Sequence, residues 1–338
     1  RSSPCNRSTH FQPHWRVVGN NRACETQNAN TGGVFLTAIE RLKAQPIVVV
    51  GPTACGKSAL AIEVARRFDN IELLSIDSMQ VYRGMNIGTA KATSQEQSEV
   101  RHHLIDLVDP HETFTLVDFQ EAHARARTDI DERSGVPLLV GGTGLYLRAI
   151  VDGLTPPPRF AEIAQQLDTE PETELLHRRL VDLDPIGASR MESNNRRRII
   201  RALEVTLGTG RPFSSFGPGL NSYPTVPYRM LGIEIERSEL DDRIERRYRD
   251  QMEAGFLEEV RGLAEVELSV TAGQALGYKE LLAYIRGQTS LDEALQLAIQ
   301  RTKRFARRQQ RWFKRDPRVE WVPRSQLNSL INEISSQL

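Results

Sequence analysis

Cysteine is scarce. The 338 residues hold only Cys5, Cys24 and Cys55, with no CxxC spacing among them. That usage offers neither a disulfide framework nor a zinc site, and it suits a reducing, cytoplasmic setting. The seven histidines form no ligand cluster, and the one adjacent pair, His102-His103, would point to opposite faces of a strand. No apolar run approaches the roughly 18 residues of a membrane span, so no membrane role is expected. Net charge is missing too, with 44 Lys and Arg against 44 Asp and Glu. The balance is uneven along the chain: residues 1–44 carry six basic and two acidic residues, 45–300 carry 28 and 39, and 301–338 carry ten and three. An acidic body with a strongly basic C-terminal segment fits a polyanion docked at one place, or a merely solvated charged helix.

Residues 1–44 are polar, rich in Asn, Arg and Ser, and lack a sustained period. They are expected to be a poorly ordered N-terminal extension, with 1–34 dispensable or drawn from upstream of the reading frame. A short helix over "LTAIERLKA" would lead into the first strand. From residue 46, strands at 46–50, 71–76, 104–107, 137–140 and 230–235 alternate with helical patterns, which predicts an α/β fold with a mostly parallel sheet. After "LTPPPRF" the periods become helical, so 155–226 reads as a helical insertion domain in a core made of 45–154 and 227–338. The last long helix opens on a Ser290/Glu293 capping box and stops before Pro317. Leu291, Leu295, Ala298, Ile299, Phe305, Ala306, Trp312 and Phe313 share one stripe, with Arg301, Arg304, Arg308, Arg311 and Arg315 largely off it.

"IVVVGPTACGKSALAIEVA" (47–65) places G-x-x-x-x-G-K-S between a strand and a helix, the context of a phosphate-binding loop. Loop amides and the helix N-terminus would wrap a phosphate, Lys57 would add positive charge, and the Ser58 hydroxyl would complete a Mg²⁺ shell. A kinase, an ATPase and a diphosphate-releasing enzyme all stay open on the loop alone. Cys55 lies inside it, either facing the phosphate as a reactive thiolate or turned into the core below. Two further segments follow strands. Asp77 in "LLSIDSMQVYRGMNIGTAK" could be a Mg²⁺ ligand, a general base or a cap of the next segment. Thr143 in "PLLVGGTGLYLRA" could face a ligand or cap a helix. In "SELDDRIERRYRDQMEAGF", a helix expected from Ser238 to Gly255, Arg243 and Arg247 are four apart and could aim at one anion, or pair with acidic neighbours at the surface.

In combination and in this order, "GPTACGKS", "SIDSMQVYRGMNIGTAK", "HHLIDLVDP", "PLLVGGTGLYLRA", "RRIIRALEV", "QALGYKEL" and "TKRFARRQQRWFKR" closely resemble the tRNA dimethylallyltransferases, from about residue 46 to 323. The resemblance implies a P-loop NTPase-like core and transfer of the dimethylallyl group from dimethylallyl diphosphate to N6 of adenosine 37, beside the tRNA anticodon. It makes Asp77 the base, Thr143 a partner of the adenine, and Arg247 a group on the leaving diphosphate. Gly51, Pro52, Thr53, Ala54, Cys55, Gly56, Lys57 and Ser58 would hold that diphosphate, with Mg²⁺ at Ser58. The anticodon stem-loop would meet Asp77, Ser78, Met79, Gln80 and Thr143, then Arg197, Arg198 and Arg201, then Gly277, Tyr278 and Lys279, and finally Arg304, Arg308, Gln309, Trp312 and Lys314. The enzyme would act as a cytoplasmic monomer. Departures from the family's pattern fall at Cys55, Ala92, Gln165, Asn195 and Gln251, outside the catalytic set. A small-molecule kinase would consume ATP without tRNA, an enzyme prenylating a free nucleotide would need no RNA-facing arginines, and a purely RNA-binding protein would leave Asp77 and Lys57 without purpose.

Overall fold

The computed structural model describes residues 45–217 and 219–336. The N-terminal extension and the helix expected over "LTAIERLKA" lie outside them. β-Branched and Leu-rich runs with no alternation demand burial on both faces, and they form a parallel sheet with helices on both sides. Its strands are β1 (Ile47–Val50), β2 (Ile71–Ile76), β3 (His102–His103), β4 (Val136–Gly141), β5 (Arg229–Glu234) and β6 (Val319–Pro323), in the spatial order β3-β2-β4-β1-β5-β6. All pairings are parallel. The order reverses at β1, which puts the crevice for a ligand beyond the C-terminal ends of β1 and β4.

The core helices are α1 (Lys57–Arg66), α2 (Ser94–Glu99), α3 (Leu116–Glu132) and α4 (Gly144–Val151). Then come α5 (Ala161–Asp168), α6 (Thr173–Leu183), α7 (Pro185–Ser189) and α8 (Arg196–Thr209). The chain returns through β5 to α9 (Arg237–Glu253), α10 (Phe256–Ala264), α11 (Tyr278–Ile285), α12 (Leu291–Lys314) and, after β6, α13 (Leu327–Ser336). Helices α5 to α8 gather around their own apolar cluster, in which Leu167, Leu176, Leu180, Ile199 and Leu203 are buried. Both connections to that cluster are pinned by charge. Arg201 donates to Pro157 O and Glu204, while Arg148 and Arg318 donate to carbonyls of Leu220, Ser222 and Pro224 and share Asp152.

Three expectations are corrected. The strand expected at 104–107 lies at 102–103, because Leu104 and Asp106 take φ of 65° and 53° and end the extended run. Helix α9 is capped at Glu236, in extended backbone, so Ser238 falls inside its first turn; it ends at Glu253, before the left-handed Gly255. Arg301 is not an outward residue of α12: its guanidinium reaches the buried Glu280 at 2.6 Å. The α12 capping box itself forms as expected, with Glu293 N donating to Ser290 Oγ.

Candidate active site

β1 delivers the phosphate-binding loop to the crevice. Gly56 stands at the N-cap of α1 with φ of 105°, a conformation that a side chain would strain. Lys57 reaches back over the loop and donates to Pro52 O at 2.7 Å. Cys55 is fully buried, with Sγ tucked beneath the loop and 3.9 Å from Lys57 Nζ. The alternative in which this thiol faces a phosphate is therefore wrong; only its backbone is available to a ligand.

The neighbouring strand ends build the second wall. Thr143 N donates to Ile76 O, and Thr143 Oγ1 accepts from Ser78 N at 3.1 Å, which ties the end of β4 to the end of β2. Thr143 occupies the N-cap position of α4 without capping it, so its hydroxyl is turned to this corner. Asp77 Oδ1 accepts from Met79 N at 2.8 Å and from Gln80 N at 3.4 Å. These turn bonds fix the carboxylate on the cavity wall. Gln80 is held by Ser75 and by the carbonyls of Thr89 and Ala90. β1 lies between β5, whose last residue Glu234 accepts from Lys314, and β4, which ends on Gly141-Gly142-Thr143; Asp77 stands one strand beyond β4.

Two helices cross the loop from the other side. Arg243 and Arg247, one turn apart on α9, donate to Ala54 O at 2.7 Å and to Thr53 Oγ1 at 2.9 Å. Both guanidinium groups are thus turned to the loop rather than to acidic neighbours at the surface. Burial pulls the Arg247 guanidinium below the usual arginine range, and Tyr248, Asp77 and Tyr278 oppose that shift. From α12, Gln309 accepts from Thr53 N at 2.8 Å and donates to Gly142 O at 2.9 Å.

These groups line one cavity of about 590 Å³. Thr53, Ala54, Gly56, Lys57 and Ser58 form its floor, Asp77 to Gln80 with Gly142 and Thr143 one side, and Arg243, Arg247, Tyr278, Arg308 and Gln309 the other. Ala61, Ile62, Leu73 and Val140 make an apolar inner end. Other expected residues stand apart from the cavity lining. Arg197 and Arg198 are exposed at the start of α8, whereas Arg201 is turned toward Pro157. Gly277 is buried and Lys279 exposed. Arg304 and Lys314 are exposed on α12, and Trp312 packs on Gly144. Tyr278 is 1% exposed, its hydroxyl donating to Glu259 at 2.6 Å. Burial, and then Glu259, raise its pKa.

Sequence reasoning overlooked Glu259, whose carboxylate also accepts the amides of Asn86, Ile87 and Gly88 and so holds the loop that rims the cavity. It overlooked the inward role of Gln251, which donates to Ile87 O and Gly88 O. A lone acid or amide on a helix gives no signal of a loop distant in sequence.

The fold and the site define a P-loop α/β enzyme whose loop cavity is bordered by a basic helix. The family model for IPP transferase matches residues 80–316, and the chain belongs to that family. It is 45% identical over 291 residues to a tRNA dimethylallyltransferase of Geobacter metallireducens, covering 84% of this chain and 94% of the relative. Among solved structures, it resembles the tRNA isopentenylpyrophosphate transferase of Bacillus halodurans at 35% identity and a TM-score of 0.63, over 87% of this chain and 97% of that one. A eukaryotic dimethylallyltransferase acting on tRNA superposes with a TM-score of 0.72 at 26% identity, over 86% of this chain and 76% of that one.

Proposed function

We propose that this chain is a tRNA dimethylallyltransferase that transfers the dimethylallyl group of dimethylallyl diphosphate to N6 of adenosine 37, releasing diphosphate. The observation that carries the reading is the single cavity in which the phosphate loop, two loop-bound arginines and the Asp77/Thr143 corner face one another.

The chemistry follows from the positions. The loop amides, Lys57, Arg243 and Arg247 bind the diphosphate and neutralise the charge that grows on it as the C–O bond breaks. The apolar inner end accommodates the five-carbon tail and keeps water from the allylic carbon. An exocyclic aromatic amine is a weak nucleophile, so Asp77 takes its proton as the C–N bond forms; Thr143 hydrogen-bonds the adenine. The target base must leave the anticodon stack to enter the cavity. The exposed arginines of α12 and α8 grip phosphates of the anticodon stem-loop.

The donor set suits Mg²⁺, which commonly takes one or two protein oxygens and completes its shell with substrate phosphate and water. Ser58 lies exposed at the cavity floor and would hold the ion, which when bound adds positive charge to the diphosphate. We further read the chain as a cytoplasmic monomer with 155–226 as a separate insertion domain. Among the described residues no helix is long and apolar enough to cross a membrane. Labelled dimethylallyl diphosphate, Mg²⁺ and unmodified tRNA test the function: label is expected on one nucleotide, adenosine 37. ATP turnover without tRNA, and no label on RNA, would reject it.

A further inference from the structure

Gln309 lies on α12 between the exposed Arg308 and the half-buried Gln310, and by position it belongs to the basic segment that would meet RNA. Gln309 is nevertheless only 8% exposed, and both ends of its amide are engaged within the protein. Oε1 accepts the Thr53 amide of the phosphate loop at 2.8 Å, and Nε2 donates to the carbonyl of Gly142, next to Thr143, at 2.9 Å. A Cβ at position 142 would come within 2.4 Å of that Nε2, so glycine is required for the approach. One turn along the helix, Trp312 seats its indole where a Cβ of residue 144 would be, within 2.1 Å. The inner face of α12 is thus joined to both loops that face the reacting atoms, while Arg304 and Arg311 stand out in solvent and the exposed Arg308 borders the cavity.

From this we infer that Gln309 is a positioning residue rather than an RNA contact: it sets the separation between the diphosphate loop and the Thr143 corner, and through it the RNA-facing helix fixes the alignment of nucleophile and leaving group. The inference rests on the prenyl transfer proposed above. Hydrogen bonds of this kind contribute little to stability when exposed but leave costly unpaired groups when one partner is removed from a buried site. Displacing the loop by a fraction of an ångström costs rate, because a near-attack arrangement tolerates little misplacement.

Three measurements test it. Gln309→Leu keeps the volume and removes both bonds, and is expected to lower kcat by about 10- to 100-fold while leaving the Kd for tRNA without diphosphate substrate within about twofold. The same variant should bind inorganic pyrophosphate more weakly than the wild type, since Thr53 is no longer held. Wild-type kcat in Gln309→Leu, or a tRNA Kd weakened tenfold at unchanged kcat, would each overturn the inference. If the wild type transfers no label, the functional reading fails instead, and pyrophosphate affinity still decides the role of Gln309: equal affinity in Gln309→Leu and wild type rejects it.

Discussion

Asp77→Asn separates the chemistry of position 77 from its architecture. In the native site one carboxylate oxygen takes the Met79 amide at 2.8 Å and the Gln80 amide at 3.4 Å, and an asparagine Oδ1 can take both. The turn after β2 should persist, with a stability change below about 1 kcal/mol. What disappears is the capacity to accept the amine proton. General-base assistance is worth about 10²–10⁴-fold, which is about 2.7–5.4 kcal/mol on the barrier. The expected result is a single-turnover rate of label transfer lower by that factor, with unchanged tRNA affinity and melting temperature. Asp77→Ala is less informative, since it also removes the turn bonds and adds about 1 kcal/mol of local destabilisation. A single-turnover rate for Asp77→Asn within about threefold of wild type would remove Asp77 from the role of base.

Other consequences can be measured directly. In a Cys5→Ser, Cys24→Ser background, Cys55 should react with a maleimide only as fast as the native chain opens, since it is fully buried; labelling that is rapid in native protein and blocked by dimethylallyl diphosphate would show the opposite. Burial, reinforced by Arg127, lowers the His123 pKa to about 4 from its ordinary 6.5. Between those values the unfolded chain binds a proton that the native chain refuses, so this contribution is complete above about pH 6.5 and is lost as pH falls toward 4, up to about 3 kcal/mol. Urea titrations across that range should show a shallower loss in His123→Phe. Replacing Arg304 and Arg311 together with glutamine should weaken tRNA binding and flatten the slope of log Kd against log salt by about 1–2, while pyrophosphate affinity stays near wild type.

Much of this site was legible because its parts are local. A strand, a glycine-punctuated loop and a helix are adjacent in sequence between Ile47 and Arg66, and the α12 capping box lies within four residues. The missed strand β6 is only five residues long, ends on Pro323 and sits at the sheet edge, where patterning is weak. The misplacement of β3 came from positive φ at Leu104 and Asp106; Asp tolerates that region, but nothing about a leucine advertises it. Residues acting over long separations were least visible. Glu259 serves amides some 171 to 173 positions away, and nothing near it in sequence hints at them.

The bond between Thr53 and Gln309 spans 256 positions, and this has a consequence for biosynthesis. A ribosome completes the phosphate loop well before the helix that holds Thr53, whose Gln309 follows 256 positions later. Parallel pairing of distant segments is slow to form for the same reason of loop closure. The loop therefore reaches its final setting only after residue 309 has been made. A polypeptide released before residue 309 would display the glycine-rich motif without the helix that holds it against Gly142.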